Sequence, residues 1–324
     1  MIGLMVIAAF GVAVFMGLNI GGNNAAAAMG AAYGANVRTK NQAVLLIGVF
    51  SLLGAIFSGG EVIKTFEKGL LLEYTVTLPE AAIGIGVAAL CIFIANMARV
   101  PISTSQAAVG SVAGIGIFYA SLNTPKLMEI IGWWIFTPIL AFVLSYIVGK
   151  YLHTPLLLWM VERKSEEEIH KIMAVFLTIS GCYVAYTAGA NNAANATGLL
   201  VNTGMMTPMT GAIVGGITIG LGALLMGGRV LDTVGHEITE LCVIRAAFVE
   251  VISAVIVHVA SYMGIPVSLG EIVTASIIGI GCARQGVAIA KNETVKNILI
   301  AWVISPLAAG SFTYTGIWLL TKLT

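Results

Sequence analysis

An all-α membrane protein of two inverted-topology repeats, with broken helices and hairpins, is the architecture that composition, internal duplication and charge placement together predict. Of the 324 residues, 58% are hydrophobic and 10% charged, with a mean hydropathy of +0.98. A soluble domain carries roughly 25% charged residues to solvate its surface. A chain this poor in charge has lipid as its main solvent. A net charge of +1 offers no basic face for nucleic acid. The four cysteines, Cys91, Cys182, Cys242 and Cys282, lie far apart in apolar stretches and read as small buried hydrophobes.

The duplication is direct. GGNNAAAAMG (21–30) matches GANNAANATG (189–198) at seven of ten positions, 168 residues apart. GGEVIKTFEKG (59–69) and GGRVLDTVGHE (227–237) keep that offset, as do WIFTP (134–138) and WVISP (302–306). PISTSQAAVGSVAGIG (101–116) and PVSLGEIVTASIIGIG (266–281) are 165 apart. Four blocks in one order place a first repeat at 1–160 and a second at 161–324.

Each half holds five apolar stretches, near 1–20, 42–60, 81–98, 102–120 and 131–149, then 172–190, 207–226, 246–263, 267–283 and 298–319. About 20 apolar residues cross the hydrocarbon. If every stretch crosses once, five is odd and the second half enters upside down, as in many secondary transporters. Lys and Arg gather on the cytoplasmic side of a membrane protein. With the N-terminus outside, twelve fall inside (Arg38, Lys40, Arg99, Lys150, Arg163, Lys164, Lys171, Arg229, Arg245, Arg284, Lys291 and Lys296) and four outside (Lys64, Lys68, Lys126 and Lys322). That split predicts a multi-pass protein of the cell membrane. The mixed-charge segment at 150–171 reads as a solvated linker between the halves.

Three features could carry chemistry. The Asn pairs Asn23/Asn24 and Asn191/Asn192 follow small residues and are expected to interrupt their helices where these line a cavity. Asn amides offer carbonyls to a cation and N–H groups to an anion. Pro101-Ile-Ser-Thr-Ser-Gln106 and Pro266-Val-Ser-Leu-Gly-Glu271 each open a helix, and a helix N-terminus is an anion site. Finally, Glu250 and Glu271 are carboxylates within apolar stretches, where acids are costly and usually functional. His258, also in an apolar stretch, reads as a satisfied core residue. GxxxxGK[ST] is absent, which excludes a P-loop ATPase engine, and nothing else points to an enzyme.

At these blocks the sequence resembles the inorganic phosphate transporter (PiT) family, whose halves each carry a GANDxANA-like and a PxSxxH-like block. Along nearly the whole chain GANNAANATG, PISTSQ, PVSLGE and GGRVLDTVGHEIT are similar to it. The resemblance implies secondary transport of an oxyanion with a symported cation, no cofactor, and often a homodimer. Carried over by position, the anion is expected at Ser103, Thr104, Ser105, Gln106, Ser268 and Gly270, with Asn23 and Asn191. The coupling ion is expected near Asn24, Asn192, Asn195, Glu271 and Glu250, with Na⁺ at Asn24 and Asn192. The family's Asp residues are Asn24 and Asn192 here, and its histidines are Gln106 and Glu271. NIGGNNAAAAMGAAYG with GGEVIKTFEKG looks closer to the family's sulfate permease branch. Sulfate is a bare dianion needing only donors, and exchanging two carboxylates for amides favours it. The same exchange weakens a sodium site, so Na⁺ and H⁺ both stand as coupling ions. The expected cargo is sulfate, with phosphate the nearest rival. An open anion channel or a structural membrane subunit are the readings from other classes.

Overall fold

The computed structural model describes residues 2–97, 102–235, 243–286 and 293–323. Within these the chain is helical, apart from connecting turns and one isolated bridge between Leu71 and Leu122. Thirteen α-helices follow in order. The first half holds α1 (Ile2–Gly34), α2 (Lys40–Ser58), α3 (Gly60–Lys64), α4 (Leu78–Met97), α5 (Thr104–Phe118) and α6 (Thr124–Ile147). A bridging α7 (His153–Arg163) leads to α8 (Glu166–Asn202), α9 (Pro208–Gly222), α10 (Gly228–Gly235), α11 (Val243–Tyr262), α12 (Leu269–Gln285) and α13 (Glu293–Leu323). Single π-helical turns at Thr65–Gly69, Val148–Leu152 and Ala223–Gly227 join neighbours at altered angles. Among the described residues eight segments are long and apolar enough to span a membrane. Side chains such as Leu4, Phe57, Met97, Ile135, Ile179 and Leu307 stand on their outer surface, as lipid-facing residues must.

Two expectations need correction. The first concerns the breaks: neither Asn pair interrupts its helix. α1 runs unbroken through Asn23 and Asn24, and α8 through Asn191 and Asn192. Asn disfavours a helix interior only by a few tenths of a kcal/mol, far less than packing supplies. The helices stop elsewhere instead: α4 ends at Met97 and α5 starts at Thr104, and α11 ends at Tyr262 and α12 starts at Leu269. The second concerns the count of crossings. α5 has 15 residues and α12 has 17. At 1.5 Å per residue these rise about 22 and 26 Å, short of a hydrocarbon core of about 30 Å. They are return arms of hairpins.

Hydrogen bonds locate the hairpins. The base of α4–α5 sits at one end of the bundle, where Tyr119 Oη and Tyr74 Oη donate to Glu80 (2.5 and 3.0 Å) and Asn202, ending α8, accepts from Val76 N (2.7 Å). Its inner end is ten residues back along α8, where Thr104 Oγ1 donates to Asn192 Oδ1 at 2.9 Å. The second hairpin comes from the other end: its turn reaches Thr65, whose Oγ1 donates to Gly264 O at 2.6 Å. That places the turn near the end where the first hairpin has its base. The two arms pass each other, with Ser105 Oγ donating to Val267 O at 2.9 Å. A hairpin that returns to its own side leaves an odd number of crossings per half, so the inversion holds with fewer crossings than expected.

Glycines show the twofold relation contact by contact. A Cβ on Gly21 would lie 1.9 Å from Ile219 O, and one on Gly189 would lie 1.9 Å from Ser51 O. Residues 21 and 51 become 189 and 219 on adding 168, so one packing contact is made twice. Gly54 against Tyr186 and Gly222 against Leu18 repeat the relation, and so do Gly114 against Gly310 and Gly279 against Phe142. Each half thereby packs its helices on the other, α5 on α13 and α12 on α6. Only glycine permits these approaches, since the missing Cβ lets backbones touch where lipid gives no hydrophobic drive. The polar 150–171 segment, expected as a linker, is mostly helical: α7 ends at Arg163, and Ser165 caps α8 in a capping box with Glu168.

Candidate functional site

Helix α12 starts inside the bundle. Ser268 caps it, its Oγ accepting from Glu271 N at 3.3 Å, so the N–H groups of Leu269 and Gly270 lie in a first turn without intrahelical partners. In front of that turn is a cavity of about 100 Å³. Six predicted residues line it: Asn23 and Asn24 from α1, Thr104 from α5, and Ser268, Gly270 and Glu271 from α12. Ala27, Ile102, Leu269, Thr274 and Trp302 complete it. Nothing lies within 4 Å of where a Cβ on Gly270 would be, so the backbone there is open to an occupant.

Two buried atoms at this cavity lack a partner among the described residues, Asn24 Nδ2 and Glu271 Oε1. Asn24 is 8% exposed and Glu271 2%. A buried polar atom left unpaired costs about 1–3 kcal/mol, so such atoms in a polar cavity mark where a ligand's own groups make the missing bonds. A donor and an acid beside a helix N-terminus suit an oxyanion that brings a proton or shares one.

The other predicted residues sit behind this surface. Asn192 Oδ1 accepts from Thr104 Oγ1 (2.9 Å), Asn195 Nδ2 (2.9 Å) and, more weakly, Ser105 Oγ (3.5 Å), while its Nδ2 donates to Ala188 O (2.8 Å). Thr104 Oγ1 and Asn195 Nδ2 fill the two lone pairs of the oxygen that a sodium ion at Asn192 would need. Asn195 Nδ2 also donates to Ser105 Oγ at 3.1 Å, and Asn195 Oδ1 is buried without a partner among the described residues. Asn191 does mechanical work: its Nδ2 donates to Ser261 Oγ (2.9 Å) and Ile265 O (3.1 Å), and its Oδ1 accepts from Val267 N (3.0 Å). It pins the turn of the second hairpin. Ser103 caps α5 through Gln106 N (3.2 Å), and Gln106 Oε1 accepts from Ser305 Oγ (3.4 Å). Glu250 is buried against Ser180 and does not reach the cavity. His258 is satisfied, sharing a 2.9 Å hydrogen bond with Tyr183. Pro101, the expected opening of the first motif, lies outside the described residues.

Sequence reasoning passed over Thr274 and Trp302. Thr274 follows Glu271 by three, one helical turn along the same face. Trp302 was legible as the repeat partner of Trp134, whose Nε1 donates to Pro266 O at 2.8 Å on the second hairpin's turn. A tryptophan held at one hairpin turn implied its equivalent at the opposed site.

Two oppositely inserted hairpins meeting at a small polar cavity inside a lipid-facing bundle define a class: this is a multi-pass membrane transporter. Comparison with known proteins gives the family. The model of the Phosphate transporter family matches residues 20–313, and the chain belongs to that family. It is 38% identical over 311 residues to the "Sulfate permease CysP" of Bacillus subtilis (strain 168), covering 96% of this chain and 86% of that protein. It is 30% identical over 376 residues to a "Putative phosphate permease" of Thermococcus kodakarensis, covering 90% and 91%. A solved structure entitled "The sodium-dependent phosphate transporter" superposes with a TM-score of 0.85 at 25% identity, covering 99% of this chain and all of that one.

Proposed function

We propose that this protein imports inorganic sulfate across the cell membrane, coupled to the inward movement of a proton, with its N-terminus outside and repeats bounded at 1–160 and 161–324. The observation that carries the reading is the cavity lining: amide, hydroxyl and helix N-terminal donors around one carboxyl group, Glu271. Ionised, that carboxylate repels a dianion. Protonated, it becomes a donor to it. The proton and the anion therefore favour each other's binding, which is the thermodynamic content of symport. Among the described lining residues there is no second acid to neutralise a sodium ion, and Asn192 is saturated by its donors. The relative named as a sulfate permease supports the choice of anion, and inorganic phosphate is the second reading, supported by the family and its other relatives.

Uptake of radiolabelled sulfate and phosphate into proteoliposomes, with Na⁺ and pH gradients imposed separately, tests this. Sulfate uptake is expected to follow the pH gradient, and in Glu271→Gln to lose that dependence while sulfate exchange between equal pools persists. Uptake driven by Na⁺ at constant pH overturns the coupling. Phosphate displacing sulfate better than sulfate itself overturns the cargo.

A further inference from the structure

At the far end of α11 and α12 from the hairpin turn lies a second cavity of about 350 Å³, walled by the π turn Val148–Leu152, α7 and the outer ends of both hairpin helices. Lys150, His153, Arg245 and Arg284 line it together with Thr154, and no acid is among the described lining residues. Arg245 is only 8% exposed, and its Nε has no hydrogen-bond partner among the described residues. His153 Nε2 is buried at the same cavity and equally unpaired. Glu250, the nearest acid along α11, is held by Ser180 instead. The π turn is seated firmly: a Cβ on Gly149 would lie 2.9 Å from Ile280 Cγ1.

A guanidinium taken out of water is costly, and an Arg245 Nε–H and a His153 ring nitrogen without partners among the described residues, at one cavity with Lys150 and Arg284, call for an anion with several acceptor oxygens. Tyr151, Leu152, Leu158 and Trp159, chain neighbours of the lining residues Lys150, His153 and Leu157, are exposed, the mixture found where a protein surface meets the lipid headgroups. We infer that this cavity is a second anion site, distinct from the transport cavity, that takes a phosphoryl group. The donor set suits the phosphate of an anionic lipid headgroup and free inorganic phosphate alike. Its occupant ties the outer end of α12 to α6 and α7. The inner end of the same helix carries Ser268 and Glu271, so occupancy bears on the hairpin that binds cargo.

The test uses the purified full-length protein and Lys150→Gln with Arg284→Gln, both exposed positions whose change leaves the core intact. Native mass spectrometry counts phosphatidylglycerol retained from phosphatidylcholine–phosphatidylglycerol vesicles, and equilibrium dialysis measures binding of inorganic phosphate, repeated in Asn24→Ala to lower the transport cavity's share. Losing two charge-assisted contacts is expected to weaken one of these by about tenfold or more. Loss confined to phosphatidylglycerol identifies a lipid site, and loss confined to phosphate identifies a soluble-anion site. Arg245→Gln should reproduce the loss. Unchanged binding of both probes in the double variant, with an unchanged unfolding midpoint, overturns the inference.

Discussion

Asn24 and Asn191 belong to the paired Asn–Asn motifs of the two repeats, yet the structure gives them different work, and truncating α8's clamp measures the difference. Asn191→Ala removes three buried hydrogen bonds, to Ser261 Oγ, Ile265 O and Val267 N. Side-chain hydrogen bonds inside membrane proteins average about 0.6 kcal/mol, so the three account for roughly 2 kcal/mol. Ile265 O and Val267 N stand in a turn flanking Pro266, and Val267 N, left without its acceptor, adds a penalty of about 1–3 kcal/mol. The expected loss is about 3–5 kcal/mol, at least about a hundredfold in the unfolding equilibrium. Asn24→Ala, by contrast, deletes a buried Nδ2 without a partner among the described residues, and should leave stability within about 0.5 kcal/mol of wild type while lowering anion affinity. Unfolding of detergent-solubilised protein, followed by helical circular dichroism and paired with uptake in proteoliposomes, separates the two. An Asn191→Ala variant that unfolds with the wild type and fails only in transport would show that Asn191 is a ligand, and the clamp argument would be wrong.

The close helix contacts predict that Gly189→Ala and Gly21→Ala each destabilise by about 1–3 kcal/mol or more, because the new methyl meets the backbone oxygen of Ser51 or Ile219; an unchanged midpoint in either refutes the packing. Asn24→Asp with Asn192→Asp should shift preference from sulfate toward protonated phosphate or toward Na⁺ dependence, since like unit charges at ~4 Å and an effective dielectric of ~20 repel by about 4 kcal/mol before screening. Competition by unlabelled phosphate reads this directly, and an unaltered competition curve removes residues 24 and 192 from selectivity. Cysteine introduced at residue 38 and at residue 205 should be labelled from opposite faces of the membrane; labelling from one face refutes the inversion.

Much of the architecture was legible in the residues. Membrane residence followed from scarce charge. The duplication followed from four repeated blocks, and the inversion from the asymmetric placement of Lys and Arg. These are properties of composition and order, and lipid acts on them residue by residue, so no tertiary contact was needed to read them. The helix starts at Ser103 and Ser268 were likewise visible, because a capping serine acts within one turn of backbone. What only the folded chain decided is which repeat's copy of each motif meets the cavity. Asn24 faces it and Asn192 is enclosed by Thr104, Asn195 and Ser105, although both stand in the same local sequence. The Asn pairs could not announce that their helices continue unbroken, since a few tenths of a kcal/mol of local preference yields to packing over helices of 33 and 37 residues. Glu250 and Glu271 looked alike as acids in apolar stretches; the tertiary structure gave one a serine partner and left the other's oxygen unpaired at the cavity. That distinction depends on groups brought together across seventy residues of chain or more, and such proximity is a property of the folded chain alone.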